Sequence, residues 1–450
     1  MSDDRDTIFA LSSGRPPAAI AVIRISGPRA GHALERLTGR VPQPRRASLA
    51  RVRDPATGEM IDEGLALWFP GPNSETGEDI AELQVHGGRA VIAGVLAALG
   101  QLDGLRPAEA GEFTRRAFEA GRMDLTAVEG LADLVAAETQ AQRRQAYQHL
   151  KGLLGERAES WRQRLIEALA LVEAGIDFSD EEDVPKEAMA SALDLIGPLA
   201  EEISQACGGH GERLREGLRV AIAGPPNAGK STLFNRLARR EAAIVSPFPG
   251  TTRDVLEVHL DLGGYPVTVL DTAGIRESDD PVEREGVRRA SEQAANADLT
   301  LWVVDATAVP SGTKPDGRRG GAHWIVVNKI DLLGPPDIAK VESKFGKELT
   351  VHLLSGQTGA GVDRLVQSLA GFAESFFPAE PALVTRERQR THLRETVSAL
   401  RGAQTAAQQG GEEIVAEQLR LATRALGKLL GRVDVEDILD VIFRDFCIGK

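Results

Sequence analysis

The sequence has very little cysteine: Cys207 and Cys447 are its only two, and they lie far apart in the chain. That leaves no disulfide framework and no metal-ligand spacing, so a reducing, cytoplasmic setting is expected. It also lacks any uncharged apolar stretch of about 18 residues, which argues against a membrane span. The opening Met1-Ser2-Asp3-Asp4-Arg5-Asp6 is polar and acidic, unlike the basic-then-apolar start of a secretory leader. The closing Cys447-Ile448-Gly449-Lys450 has the outline of a prenylation box, but a terminal Lys is not a usual acceptor. Positive charge is in deficit, with 53 basic against 66 acidic residues and a formal net charge of −13. That balance favours solubility and argues against bare electrostatic capture of nucleic acid, while leaving room for local basic faces.

What is present is enough for a sizeable core: 450 residues at 42% hydrophobic composition should divide into two to four domains. In residues 1–122, the apolar run 19–25 is broken only by Arg24 and closed by Ser26-Gly27-Pro28. Residues 65–69 end at Pro70-Gly71-Pro72-Asn73, and the alternating run 80–85 stops at His86-Gly87-Gly88. With a helical stretch at 90–102, this part reads as an α+β module.

From Met123 the texture becomes helical, rich in Ala, Leu, Glu, Gln and Arg, with Leu125, Val128, Leu131 and Val135 at helical spacing. The acidic run 180–183 and Pro185 mark a break between helices, and residues 385–446 resume the same style. Two helical segments, 123–214 and 377–450, therefore flank residues 215–376, as an inserted domain would require. Their apolar faces are expected to pack together. Inside the insertion, the short apolar runs 218–223, 267–271, 299–305, 324–328 and 351–354 alternate with helical stretches. That is the pattern of a doubly wound α/β sheet.

The first run leads into Gly224-Pro225-Pro226-Asn227-Ala228-Gly229-Lys230-Ser231 and a helix that continues from Thr232. This is the P-loop template in its required context. Glycines let backbone N–H groups approach phosphates, and the helix N-terminus adds a favourable dipole. Lys230 would place a point charge on the β- and γ-phosphates, and Ser231 would ligate Mg2+. Gly250-Thr251-Thr252-Arg253-Asp254, Asp271-Thr272-Ala273-Gly274, Asn328-Lys329-Ile330-Asp331 and Ser355-Gly356 follow in order. The series resembles the five nucleotide motifs of translation-factor-class, Ras-like G domains. Thr252 is expected on Mg2+ and the γ-phosphate, Asp271 and Gly274 on the metal shell and phosphate. Asp331 would accept hydrogen bonds from guanine N1 and its exocyclic amine, which adenine cannot offer. The substrate expected is GTP, not ATP.

Ras-like enzymes carry Gln directly after the equivalent of Gly274; here Ile275 stands there and cannot orient water. Glu277, Asp279, Asp280, Glu283 and Glu285 follow, and spacing alone does not choose among them. Charge compensation also needs a source. A monovalent cation held by Asn227 and nearby backbone carbonyls could take the place of an arginine finger.

The whole chain resembles the family of tRNA-modification GTPases known as MnmE or TrmE. The resemblance is carried by Leu67-Trp68-Phe69-Pro70-Gly71-Pro72-Asn73-Ser74, Thr76-Gly77-Glu78-Asp79, Glu82-Leu83-Gln84 and His86-Gly87-Gly88. Gly111-Glu112-Phe113, Arg116-Ala117-Phe118, the P-loop region and the terminal Phe446-Cys447-Ile448-Gly449-Lys450 extend it over residues 1–450. It implies a tetrahydrofolate-binding and dimerisation domain at 1–122, a discontinuous helical domain and an inserted G domain. It implies a homodimer that works in a heterotetramer with the flavoprotein MnmG (GidA) on tRNA. Together they would add an aminomethyl or carboxymethylaminomethyl group to carbon 5 of the wobble uridine. The carbon would come from 5,10-methylene- or 5-formyl-tetrahydrofolate, with hydrolysis activated by K+ when G domains meet.

Residue by residue, the resemblance implies K+ ligation by Asn227, Ser246, Phe248 and Thr251, and water orientation by Glu283. It implies folate contacts from Arg24, Glu82, Arg122 and Lys450. Cys447, by itself an ordinary small core residue, is brought near that folate pocket, which makes a role in the modification chemistry a hypothesis. An Era-type GTPase switch of ribosome assembly is the rival, but residues 377–450 show no Gly-x-x-Gly loop of a KH module. Arg386, Arg388, Arg390 and Arg394 there form a local basic run.

Overall fold

The structure is a computed structural model that describes residues 6–177, 184–208, 211–240, 242–244, 257–271, 297–308, 321–343, 345, 349–377 and 380–433, with 439, 442–443, 446 and 448–449 near the end. The chain forms two compact units. One comprises Met1–Ala132, His149–Glu201 and His392–Lys450; the other comprises Asp133–Gln148 and Glu202–Thr391.

The first unit is built on a six-stranded sheet of β1 (Thr7–Leu11), β2 (Ile20–Ser26), β3 (Ser48–Arg53), β4 (Met60–Phe69), β5 (Ile80–His86) and β6 (Leu105–Pro107). The spatial order is β3-β4-β5-β2-β1-β6. Neighbours are antiparallel except β1 and β6. Alternation along β2 sends Ile23 and Ile25 to one face and Arg24 and Ser26 to the other. On the first face, helices Ala30–Thr38 and Arg89–Gly100 cover the sheet, with Leu34, Leu37, Val95 and Leu99 packed on Phe9, Ile23, Ile25 and Leu83. The other face receives Phe113, from helix Glu112–Glu119, against Ile8, Ala10 and Ala108.

The two helical segments meet within this unit as their apolar patterns require. Helix Leu153–Asp177 buries Leu154, Ala158, Trp161, Leu165, Ala168 and Val172, and helix Glu412–Leu430 buries Val415, Leu419, Ala422 and Leu426. Both sets step by three or four residues, the apolar stripe of a packed helix. Arg420 reaches Glu173 at 2.9 Å across the pair. Helix Glu412–Leu430 stops at Gly431, whose φ of +81° lets its N–H close back on the carbonyls of Gly427 and Lys428. Further on, Ile448 bridges to Ala110, and a side chain on Gly449 would collide with the Leu11 carbonyl at 2.2 Å.

The second unit holds the doubly wound sheet: β7 (Leu218–Ala223), β8 (Glu257–Leu262), β9 (Tyr265–Asp271), β10 (Leu299–Asp305), β11 (Ala322–Asn328) and β12 (Thr350–Leu353). Its order is β12-β11-β10-β7-β9-β8, all parallel but for β8. Every apolar run singled out in the sequence is a strand. β8 is an addition: Glu-Val-His-Leu-Asp-Leu alternates polar and apolar, as an antiparallel edge strand with one wet face does. Helices Lys230–Ala238 and Val362–Phe376 pack one face through Leu233, Leu237, Leu365 and Leu369. The other face is closed by Val341 and Phe345, with helix Pro335–Ser343 supplying the first. β7 has β9 on one side and β10 on the other, so the chain reverses its winding there. A crevice at the carboxyl ends of the strands beside such a switch point is where open α/β sheets take their ligands.

Candidate functional site

The loop leaving β7 sits in that crevice, and its shape follows from three backbone positions. Gly224 has φ of +139°, and a Cβ on it would lie 2.1 Å from the Val303 carbonyl oxygen on β10. Asn227 has φ of +62°, a left-handed conformation that Asn tolerates better than most residues. Gly229, with φ of +90°, is the last residue before helix Lys230–Ala238, and a Cβ there would strike Asn328 Nδ2 at 2.3 Å. The result is a turn of exposed backbone around Pro225–Asn227, backed by fully buried Ala228. Lys230 folds over it, its Nζ donating to the carbonyls of Gly224 and Pro225 at 2.9 Å each. Ser231 and Thr232 are exposed at the helix start.

Asn328, at the end of β11 and only 2% exposed, ties this loop to its neighbours. Its Nδ2 donates to the Ala228 carbonyl at 2.9 Å, and its Oδ1 accepts the N–H of Lys329 at 2.9 Å and of Gly356 at 2.8 Å. Lys329 takes φ of +68°, and its Nζ meets Asp305 Oδ2 at 2.6 Å. Burial pushes the Asp305 carboxyl up, but hydrogen bonds from Lys329 and Thr307 and the Lys329 charge hold it below its ordinary value. Asp331 is exposed in the short turn that follows. Ser355 is fully buried, and its Oγ accepts the N–H of Thr358 at 3.1 Å. Asp271 ends β9 opposite Ile222 in the parallel register, at the same sheet edge. The loop 224–231, Asp271, Asn328, Lys329, Asp331 and Ser355 are thus gathered at one end of one sheet.

Two contributors to this edge were not singled out from the sequence. Asp305 closes an apolar run in the way Asp271 does, and that strand-ending carboxylate was a legible signal. Arg236, in the last turn of the helix behind the loop, donates to the carbonyls of Gly356 (Nε, 3.1 Å) and Gln357. Nothing in sequence spacing announces such a contact.

The first unit holds a second polar centre. Arg24 lies opposite Glu82 in the β2–β5 register and donates Nε and Nη2 to Glu82 Oε1, each at 3.0 Å. Its Nη1 meets Glu75 at 2.6 Å, and its guanidinium stands over the Phe113 ring at 5.8 Å. Ser26 and Thr76, both fully buried, share a 2.8 Å hydrogen bond, and Ser26 Oγ also donates to Glu78 at 2.8 Å. Arg116 bridges Glu78 and Glu112, and Arg106 pairs with Glu112 at 2.6 Å. Burial pushes the Glu112 carboxyl up, but hydrogen bonds from Arg106 and the Glu109 N–H, with the Arg106 and Arg116 charges, hold it below the ordinary carboxylate value. Arg122 is close as well: a Cβ on Gly77, two residues beyond Glu75, would lie 3.7 Å from its Nε. Arg24, Glu82 and Arg122 are therefore gathered around one loop. Ser246, Phe248, Thr251, Thr252, Gly274, Glu283, Cys447 and Lys450 lie outside the described residues.

Among the described residues, no helix is long and apolar enough to cross a membrane. A model of the MnmE helical domain matches residues 125–447, and one described as the GTP-binding protein TrmE N-terminus matches residues 7–122. A tRNA modification GTPase MnmE of Bradyrhizobium sp. (strain BTAi1 / ATCC BAA-1182) is 58% identical over 447 residues, covering 99% of both chains. Its namesake in Rhodopseudomonas palustris (strain BisB18) is 55% identical over 458 residues, covering 100% of both.

Proposed function

The chain belongs to the MnmE (TrmE) family of tRNA-modification GTPases, and from that premise we propose how its two polar centres divide the work. The crevice at the end of the second sheet takes GTP. The observation that carries this reading is the Asn328 side chain, which staples the loop 224–231 to the segment beginning at Ser355. Phosphates then face the exposed backbone of Pro225–Asn227 and the start of helix Lys230–Ala238. Lys230, resting on two loop carbonyls, needs only a side-chain rotation to reach them. Asp331 faces guanine N1 and its amine, and Ser355 and Lys329 line the base side. Thr232 and Ala228 complete the loop.

Oxygen donors from Ser231 and Thr252 suit Mg2+, a hard cation that would neutralise charge between the outer phosphates, with Asp271 and Gly274 holding the metal shell and the phosphate. The amide oxygen of Asn227, with Ser246, Phe248 and Thr251, suits K+, which would supply positive charge where other G domains use an arginine. Glu283 orients the attacking water as a side chain of this chain.

The Arg24 centre takes the folate. Its support is the gathering of Arg24, Glu82 and Arg122 around one loop, with residues 448–449 packed on β1 at Leu11, whose neighbour Ala10 pairs with Arg24. Cys447 and Lys450, which flank those residues in sequence, are assigned to the same centre. A reduced folate there would offer its one-carbon unit to a wobble uridine. The homodimer, the flavoprotein MnmG (GidA) and a cytoplasmic location complete the proposal, as do the domain limits 1–122, 123–214, 215–376 and 377–450.

Bulk tRNA from cells lacking the protein, digested and analysed by mass spectrometry, tests the whole. Loss of 5-substituted wobble uridines, restored by the wild-type gene and not by Asp271→Ala, is expected. Unchanged tRNA would refute the modification reading and turn attention to ribosome assembly.

A further inference from the structure

Arg24 has one positive charge and two carboxylate neighbours, and the two are held very differently. Glu82 is 16% exposed and fixed by the β2–β5 register, its Oε1 serving Nε and Nη2 together. Glu75 is 47% exposed and reaches Nη1 from the loop between β4 and β5. The rest of that loop is pinned close by: Ser74 Oγ donates to the Glu78 carbonyl, Thr76 is bonded to Ser26, and Gly71 N–H donates to Asp79 at 2.8 Å. Glu75 can leave by changing rotamer alone, without moving the backbone on either side.

A guanidinium binds an added carboxylate best through two parallel N–H donors on one edge. On Arg24 the Nε–Nη2 edge is committed to Glu82, so the remaining edge runs through Nη1, where Glu75 sits. We propose that Glu75 is an internal competitor for Arg24, a positioning residue that sets how tightly this centre holds a carboxylate-bearing ligand. This rests on the folate reading of the Arg24 centre. An incoming carboxylate must displace Glu75 and bind beside its charge, so an uncharged side chain of the same shape should bind the ligand more tightly. Glu75 is half in solvent, where such contacts are worth at most about 1 kcal/mol, or roughly a two- to fivefold change in affinity.

The experiment is calorimetric titration of 5-formyl-tetrahydrofolate into the full chain, wild type against Glu75→Gln, Glu75→Ala and Arg24→Ala, at low and high salt. The expected result is binding tightened by about two- to fivefold in Glu75→Gln, with the gap to wild type closing at high salt as the Glu75 charge is screened. Glu75→Ala should tighten it as well, and Arg24→Ala should lose it. A purely structural role for Glu75 would weaken binding and lower the melting temperature in both Glu75 variants, and would overturn the proposal. Unaltered affinity in both, with wild type binding, would overturn it while leaving the folate reading intact. Absence of binding by every form, wild type included, would remove the folate reading and the proposal with it.

Discussion

Asn328 donates its Nδ2 to the carbonyl oxygen of Ala228 at 2.9 Å, so the last residue of one strand fixes the loop that follows another. The same side chain accepts the Gly356 N–H at 2.8 Å. Asn328→Ala removes both and strands buried partners, each at a cost of about 1–3 kcal/mol. GTP affinity should fall by about one to two orders of magnitude in a fluorescent-nucleotide titration. A change under about twofold would show that the staple is not what shapes the crevice.

Arg236 acts on the far side of the same segment. Without its bonds to the Gly356 and Gln357 carbonyls, the segment that starts at Ser355 is held by Asn328 and its own turn. Arg236→Met should speed GDP release by about three- to tenfold, two lost hydrogen bonds at about 1 kcal/mol or less each. The rate of hydrolysis at saturating GTP should hardly move. Stopped-flow release of labelled GDP reads the first and steady-state turnover the second; equal release rates would dismiss the role.

Gly224 tests the close approach of backbones. Its φ is +139°, and any Cβ there would stand 2.1 Å from the Val303 carbonyl oxygen, which leaves no room for a side chain. Gly224→Ala should therefore cost about 3 kcal/mol or more, combining backbone strain with a clash. Expected are a lower melting temperature and no measurable nucleotide binding. A variant that melts and binds like wild type would mean that β7 and β10 can part at this point.

Acid should weaken the first unit through Glu112. Burial raises its folded pKa, but hydrogen bonds from Arg106 and the Glu109 N–H and two arginine charges outweigh that and leave it below the unfolded value. The stabilisation is therefore present above the ordinary glutamate range, near pH 4.3, and is lost as pH falls through the lower folded value. Melting curves should be insensitive to this group above about pH 5 and fall below it. Glu112→Gln should show lower stability at neutral pH and a shallower acid decline; parallel acid declines would assign the loss to other groups.

The proposed cation at Asn227 makes a simple demand. GTP turnover should be faster in K+ than in Na+ buffer, and Asn227→Ala should erase the difference. Equal turnover in both salts would remove the cation from the mechanism.

The architecture was legible where pattern and period coincide. Three of the five apolar runs of the second sheet, 267–271, 324–328 and 351–354, end on or beside polar residues that the motifs name, and all five are strands. Arg24 was legible as an interruption of an apolar run, and its place on the Phe113 face follows from alternation alone. Glu75 and Arg236 were not, because their partners are fixed by loop conformation and by Gly356 and Gln357, far away in sequence. β8 escaped for another reason: a six-residue alternating edge strand is a weak signal beside the continuous runs around it.

Residues 140–148, which sequence style assigns to the helical body, belong to the compact unit of the second sheet. The Ala141 N–H donates to the Gly264 carbonyl at the β8–β9 turn, and Gln142 donates to the Arg215 carbonyl. Gln145 joins the Gly211 carbonyl to the Ala382 N–H, one on the way into the inserted segment and one on the way out. An excised fragment spanning 215–376 would thus leave behind both this helical stretch and the entering and leaving segments that it joins. Grafting the module into another host would meet the same obstacle, since a piece of the old host has become part of the guest.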